Sequence, residues 1–408
     1  MNTTILNEGI MKRGLFLVVK IFFIIVLLLN FSSPLIDANQ SQHPRKIVVF
    51  KKWFDKEADQ DDLLGKSGAL KIKHLRLING TAAYLSSQAE KDLRGKNEVS
   101  RIDEDLIINA LDEIHLAKPK PPQPAEEFSW GIVRIYAELA WEKTTGSTIR
   151  VAILDTGIDL DHPDLQDNIK GNANLIKPNK SGDDDKGHGT HVAGIVAALD
   201  NDIGVIGVGP DISLYAVKVL DKKGQGWLSD LIDGLNWCIN NEMQVINMSF
   251  GSLSDNDSFH EAIIEAYEAG ITLVASAGNN GEYGGEIEYP AKYPETIAVS
   301  AVDQYDNFAS FSSYGLEIDL TAPGVDIKSA YKKNAYETLS GTSMSAPHVT
   351  GVVALLLTTS PKGNYDLDKD KTWDPYEIII KLKDCAEDLG LDPQKQGAGL
   401  VRADLVVY

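Results

Sequence analysis

The apolar and polar positions of the chain fall into three regimes. Residues 16–29, "FLVVKIFFIIVLLL", have no polar face; only Lys20 interrupts the run, and Lys12 and Arg13 precede it. A positive flank, a short apolar run and a small residue at Ala38 have the form of an export signal over residues 1–38; left uncleaved, residues 15–29 would anchor the chain in a membrane. From 45 to 111 the apolar positions come in short alternating stretches. "RKIVVFKKWF" (45–54), "ALKIKHLRLING", "TAAYLS" and "VSRIDEDLII" predict strands, with helices near 55–68 and 87–95. Strand, helix, two strands, helix, strand is the order of a small ferredoxin-like α+β unit. "AKPKPPQP" (117–124) then predicts an extended, solvated linker within 112–128, open to proteolysis.

Beyond residue 129 continuous apolar strands interleave with helices. "IRVAILDTG", "SLYAVKVL", "VINMSFG", "TLVASAGN" and "TIAVSAV" predict buried strands; "HGTHVAGIVAAL", "LSDLIDGLNWCINN", "HEAIIEAYEAG" and "SAPHVTGVVALLLTTS" predict helices. The alternation predicts an α/β domain over 129–408, with a parallel sheet covered on both faces.

Composition narrows the function. A formal net charge of -20 over 408 residues repels phosphates and argues against a nucleic-acid partner, while suiting a soluble surface or bound cations. Two cysteines, Cys238 and Cys385, exclude a disulfide framework.

In open parallel sheets function gathers at the carboxyl ends of the strands. Asp155 lies at one such end, in "AILDTGI". His188 opens a helix between glycines in "KGHGTHVAG", and Ser343 stands at the start of a helix in "LSGTSMSAPHVTG". The first N–H groups of a helix lack intrahelical partners, so the Ser343 amide can donate to a developing oxyanion. Pro347 is expected within about the first turn, where its missing N–H costs little. A serine needs a base, and an imidazole needs an acid to fix its tautomer, so Asp, His and Ser together suit acyl transfer. No G-x-S-x-G elbow surrounds Ser343, which disfavours a lipase or esterase.

The three stretches resemble the catalytic signatures of the subtilisin-like serine proteases (subtilases), in the order Asp, His, Ser. The likeness runs from about Trp130 to the C-terminus, and residues 45–111 resemble the family's inhibitory propeptide. It implies a subtilisin-like three-layer sandwich and a secreted, monomeric endopeptidase made as a zymogen, its propeptide cut near 111–127 and acting as an intramolecular inhibitor. Asp155 would orient, His188 would be base and acid, Ser343 the nucleophile, and Asn279 in "ASAGNNG" a side-chain oxyanion donor. His191 and Ser345 match non-catalytic positions.

The resemblance extends to substrate and metal. Gly224 and Ser249, Phe250 and Gly251 would pair with an extended protein or peptide substrate. Leu228, Leu231 and Phe250 would line an apolar P4 pocket. Glu288, just before "YPAKYP", matches the floor of the P1 pocket, where a carboxylate favours Lys or Arg; the alternative is a glutamate turned to solvent. The counterpart of Pro290 carries a cis bond. Asp164 and Asn201 would give side-chain oxygens, and Leu199, Ile203 and Val205 carbonyls, to a structural Ca²⁺, with a further ligand from near Glu126. Outside the family pattern, "DLDKDKTWDPYE" places Asp366, Asp368, Asp370, Thr372, Asp374 and Glu377 at positions 1, 3, 5, 7, 9 and 12 of an EF-hand-like loop, with Lys371 where the pattern needs glycine; a solvated acidic insertion is the alternative. A catalytically silent calcium-binding surface or scaffold protein on the same fold is the competing reading of the whole chain.

Overall fold

The computed structural model describes residues 43–111, 114–115 and 124–408. The export segment, its apolar run at 15–29 and most of the linker lie outside the described residues. Among the described residues no helix is long and apolar enough to cross a membrane.

Two units are distinguished by their internal contacts, residues 43–73 with 82–102, and 74–81 with 103–408. The smaller is built on β1 (Arg45–Phe50), α1 (Glu57–Lys66), β2 (Leu70–Leu75), β3 (Gly80–Tyr84), α2 (Ser87–Arg94) and β4 (Val99–Glu104), with sheet order β2-β3-β1-β4. That is the ferredoxin-like order. Its core joins Val48 and Phe50 of β1 to Leu64, Ala83, Leu93 and Ile102. Ser86 caps α2 by accepting from the Ala89 N–H.

The stretch "VSRIDEDLII", expected as one strand, is two. Asp105 breaks it: its carboxylate accepts from the amide (2.9 Å) and hydroxyl (3.0 Å) of Ser229, and the chain restarts as β5 (Ile107–Ala110) within the larger unit. By internal contacts residues 103–111 group with the larger unit.

After β6 (Ile114–His115), the larger unit runs through β7 (Arg150–Asp155), β8 (Ile169–Asn174), α3 (His188–Ala197), β9 (Ser213–Lys218), β10 (Gln225–Trp227), α4 (Leu228–Asn240), β11 (Val245–Met248), β12 (Phe250–Gly251), α5 (Asp257–Glu268), β13 (Thr272–Ser276), β14 (Thr296–Val302), β15 (Leu320–Pro323), β16 (Ile327–Tyr331), β17 (Ala335–Ser340), α6 (Thr342–Leu357) and α7 (Pro375–Asp384). Seven strands form one parallel sheet in the order β15-β14-β13-β11-β7-β9-β8. Side chains alternate along β7. Ile153 joins the core with Val192 of α3 and Val349 of α6, whereas Leu154 meets Gly234 of α4, where an added Cβ would stand 2.6 Å from it. Helices thus cover both faces, giving the three-layer α/β architecture. The polar strand β8 escapes a search for apolar runs because it is an edge, with a burial pattern of half-exposed positions.

The sheet switches sides between β7 and β11: from β7 the chain goes to the edge strand β8 and returns through β9, then crosses to β11 and runs outward through β13, β14 and β15 on the other side. Ligands of open α/β sheets bind outside the carboxyl ends at such a point. Asp155 ends β7, and Ser249 follows β11.

Candidate active site

His188 Nδ1 lies 2.8 Å from Oδ1 and 2.9 Å from Oδ2 of Asp155, both side chains fully buried. A carboxylate only accepts, so Nδ1 carries the proton and Nε2 is left as the basic nitrogen. Helix α3 can approach the end of β7 because Gly189 has no side chain. A Cβ there would stand 2.1 Å from the Gly157 carbonyl and 3.1 Å from Asp155 Cβ. Gly187, just before His188, has φ 114, open to glycine and costly for other residues.

The approach is held by Asp184, which sequence reasoning missed. Its carboxylate accepts from the hydroxyls of Thr156 (2.9 Å) and Thr190 (2.6 Å) and from the amides of Lys186 (2.9 Å), Gly187 (2.8 Å) and Thr190 (3.0 Å). Burial pushes its carboxyl upward while these donors pull the other way. The available signal was an acid in "DDDKGH", four residues before a helix-opening histidine, but nothing in the spacing marks which aspartate.

Ser343 lies in the first turn of α6. Its hydroxyl donates to the Ser249 carbonyl (3.2 Å), and the Ser249 hydroxyl donates to the Ser343 carbonyl (3.0 Å). Pro347 explains the second bond. It sits in the second turn, not the first as expected, where its absent N–H would have bonded the carbonyl four residues back. That carbonyl belongs to Ser343, and Ser249 supplies the missing donor. Asn247 Nδ2 donates to Ser249 Oγ (2.9 Å), and Thr350 returns the chain to α6 by donating to Asn247 Oδ1 (2.9 Å).

Asn279 follows β13. Its Oδ1 accepts from the Thr342 amide and hydroxyl, both at 3.0 Å, which directs the Nδ2 end toward Gly341. A Cβ on Gly341 would be 3.3 Å from Asn279 Nδ2 and 3.8 Å from the Ser343 nitrogen. Two N–H donors therefore flank one small space that only glycine leaves open, a geometry suited to a negative oxygen.

Strand β5 lies antiparallel between β10 and β12, with Gln225 opposite Asn109, Gly226 opposite Ile108 and Phe250 opposite Ala110. The Ala110 amide donates to the Gly224 carbonyl (2.7 Å). Leu228, Leu231 and Phe250 are buried, as is Ile108. Further on, β6 pairs with β17, Ile114 opposite Ser340 and His115 opposite Leu339, two residues before the Ser343 turn. A cavity of about 900 Å³ is lined by Ala110, Leu111, Gly251, Asn279 and Glu288 among others. Glu288 is 8 % exposed, so it does not turn out to solvent. Its Oε1 accepts from Asn280 Nδ2 (2.6 Å), and Gly251 and Gly278 give it room, since a Cβ on Gly251 would meet Oε2 at 2.4 Å. The Tyr289–Pro290 bond is cis.

The loop from Leu199 to Val205 wraps Asp164. Leu199 N–H donates to the Asp164 carbonyl (3.0 Å), and Val205 N–H donates to Asp164 Oδ2 (3.1 Å). Among the described residues Asp164 Oδ1 is buried without a hydrogen-bond partner, and burial pushes the carboxyl up to about 7. Glu126 joins them, its Oε1 accepting from the Asn201 N–H (2.8 Å), while Ala125 bridges Ile203. In the second acidic loop Asp366, Asp368 and Asp370 converge, with ligand oxygens all within 4.8 Å of one another. Asp374 is the N-cap of α7, its Oδ1 accepting from the Glu377 N–H (3.0 Å).

His191 Nε2 lies 3.0 Å from the Ile327 carbonyl; burial holds its ring down at about 3. His348 donates from Nδ1 to the Met344 carbonyl (2.8 Å) and burial holds it at about 4. Both are neutral core histidines. Cys238 and Cys385 are free thiols.

Comparison with known proteins agrees with this geometry. The model of the subtilase family matches residues 146–399. The chain is 38% identical to subtilisin J of Geobacillus stearothermophilus over 90% of its own length and 92% of the relative's. It is 44% identical to an alkaline protease of Alkalihalobacillus alcalophilus, covering 92% and 94%. With the M-protease of Shouchella clausii (strain KSM-K16) the identity is 45% over 69% and 70%.

Proposed function

This chain belongs to the subtilase family of serine endopeptidases, and we propose that it is an exported zymogen whose Asp155, His188 and Ser343 hydrolyse peptide bonds, beginning with one of its own. His188 takes the Ser343 proton as the hydroxyl oxygen attacks the scissile carbonyl, and Asp155 stabilises the resulting imidazolium. The tetrahedral oxygen is held by Asn279 Nδ2 and the Ser343 amide. The imidazolium then protonates the leaving amine, and water releases the acyl group by the same steps in reverse. A catalytically silent scaffold would have no use for a glycine kept clear between two donors.

The observation that carries the zymogen reading is β5. Residues 107–110 fill the cleft edge as an added strand, and β6 pairs beside Ser343. β5 ends at Ala110, opposite Phe250, and Ile114 lies opposite Ser340, three residues before Ser343. We place self-cleavage between these two strands, at Leu111–Asp112, leaving residues 45–111 as inhibitor. Residues 1–38 direct export. Glu288, buried in the cavity beside Leu111, adds a preference for Lys and Arg to a site that also admits Leu.

The donor set around Asp164 fits a calcium ion: all oxygens, one of them buried and without a hydrogen-bond partner among the described residues. Asp164, Asn201, Glu126 and the carbonyls of Leu199, Ile203 and Val205 would hold it. A bound ion would supply no chemistry to hydrolysis; it would tie the 199–205 loop to the segment that follows the linker.

Expression of the full chain beside its Ser343→Ala variant tests the reading. The wild type should yield a new N-terminus between Asp112 and Ile114, and the variant should stay whole. Cleavage of both, or of neither, would overturn it.

A further inference from the structure

The acidic loop between α6 and α7 is absent from the reaction just described. Asp366, Asp368 and Asp370 alternate along it and gather their carboxylates within 4.8 Å. Lys371, at the position an EF-hand gives to glycine, has φ 67, so the left-handed turn is made despite the residue. Its N–H donates to Asp366 Oδ1 (3.2 Å), as the Asp370 N–H does to Asp368 Oδ1 (3.0 Å). Acidic surface clusters are common, and these alone would carry nothing.

The independent observation is Glu377. Only 1% of it is exposed, yet it is a carboxylate in the first turn of α7. Its Oε1 accepts from the Leu367 amide, the residue after Asp366, so the group is turned into the loop. Its Oε2 is buried with no hydrogen-bond partner among the described residues. A buried carboxylate oxygen without a donor is costly unless a cation meets it.

We propose that this loop is a second calcium site, held by Asp366, Asp368, Asp370 and Glu377 with the Thr372 carbonyl, separate from the one around Asp164. The all-oxygen donors select a hard divalent cation. Asp374 remains the helix cap. The ion would lock the end of α6, the helix that carries Ser343, to the start of α7. Trp373 already ties these ends, its Nε1–H donating to Thr359 (3.1 Å).

Trp373 lies inside the loop and gives the readout. In the full chain carrying Ser343→Ala, terbium should luminesce on tryptophan excitation, calcium should quench the signal by displacement, and the part of it lost in Trp373→Phe reports this loop. Asp368→Asn, on an exposed side chain, should abolish the Trp373-dependent part of the signal and lower the calorimetric calcium stoichiometry by one, with unchanged circular dichroism. Glu377→Gln should do the same. Asp164→Asn should keep the Trp373-dependent part, which separates this site from the first. A parent without signal, or signal and stoichiometry unchanged by Asp368→Asn, overturns the proposal.

Discussion

Ser249 donates its hydroxyl to the carbonyl of Ser343 because Pro347 cannot. Two residues 94 apart in sequence thereby complete one helix, and the helix they complete presents the nucleophile. Ser249→Ala should leave that buried carbonyl unpartnered, at a cost of about 1–3 kcal/mol. Urea melts of the Ser343→Ala chain should show the loss. Adding Pro347→Ala restores an N–H at the right position and should recover part of it; no recovery would disprove the link.

Gly341 keeps the space between Asn279 and Ser343 open. Gly341→Ala should reduce kcat on a peptide amide at least as much as Asn279→Ala does, with little change in KM or melting temperature. For the asparagine, a loss of about 10²–10³ is the size that subtilisins themselves established for such a donor. Equal kcat for Gly341→Ala and wild type would mean that the oxygen is bound elsewhere.

The Glu288 carboxylate is buried beside Leu111 in the cavity. Glu288→Gln should lower kcat/KM for peptides with Lys or Arg at P1 about tenfold relative to Leu, since a charge-assisted bond contributes about 1.5 kcal/mol more than a neutral one. A series of peptides differing only at P1 decides this, and an unchanged ratio removes Glu288 from specificity.

Acid should destabilise the fold through its core histidines. Unfolded, each imidazole titrates near 6.5; folded, burial holds His191 at about 3 and His348 at about 4. Between these values the unfolded chain binds the extra protons. Their contribution is complete above about pH 6.5 and declines as pH falls, by about 1.4 kcal/mol per pH unit for each histidine. Denaturation of the Ser343→Ala chain from pH 6.5 to 4.5 should show a shallower slope in His348→Asn, whose amide can still donate to Met344.

Chelation offers a further check. Removing calcium should lower the melting temperature of the Ser343→Ala chain, and Asp164→Asn should shrink that drop. A drop of the same size would place the stabilising ion elsewhere.

The buried strands of the central sheet and the helices around it were readable because their apolar runs are continuous, and the catalytic candidates because each sits in a glycine-rich turn at an element end. β8, β15, β16 and β17 were not read: edge or short strands lack the apolar contrast on which such reading depends. Asp184 was missed beside Asp183 and Asp185, since three adjacent acids look alike until the fold buries one.

Local sequence determined which residues carry chemistry and where the elements begin, because periodicity, glycine and caps act within a few residues. It could not say that Ser249 serves Pro347, that Glu288 is enclosed, or which acids of the 366–377 loop converge. Those depend on strand order and register across the sheet, where partners meet through packing and burial rather than through their spacing along the chain.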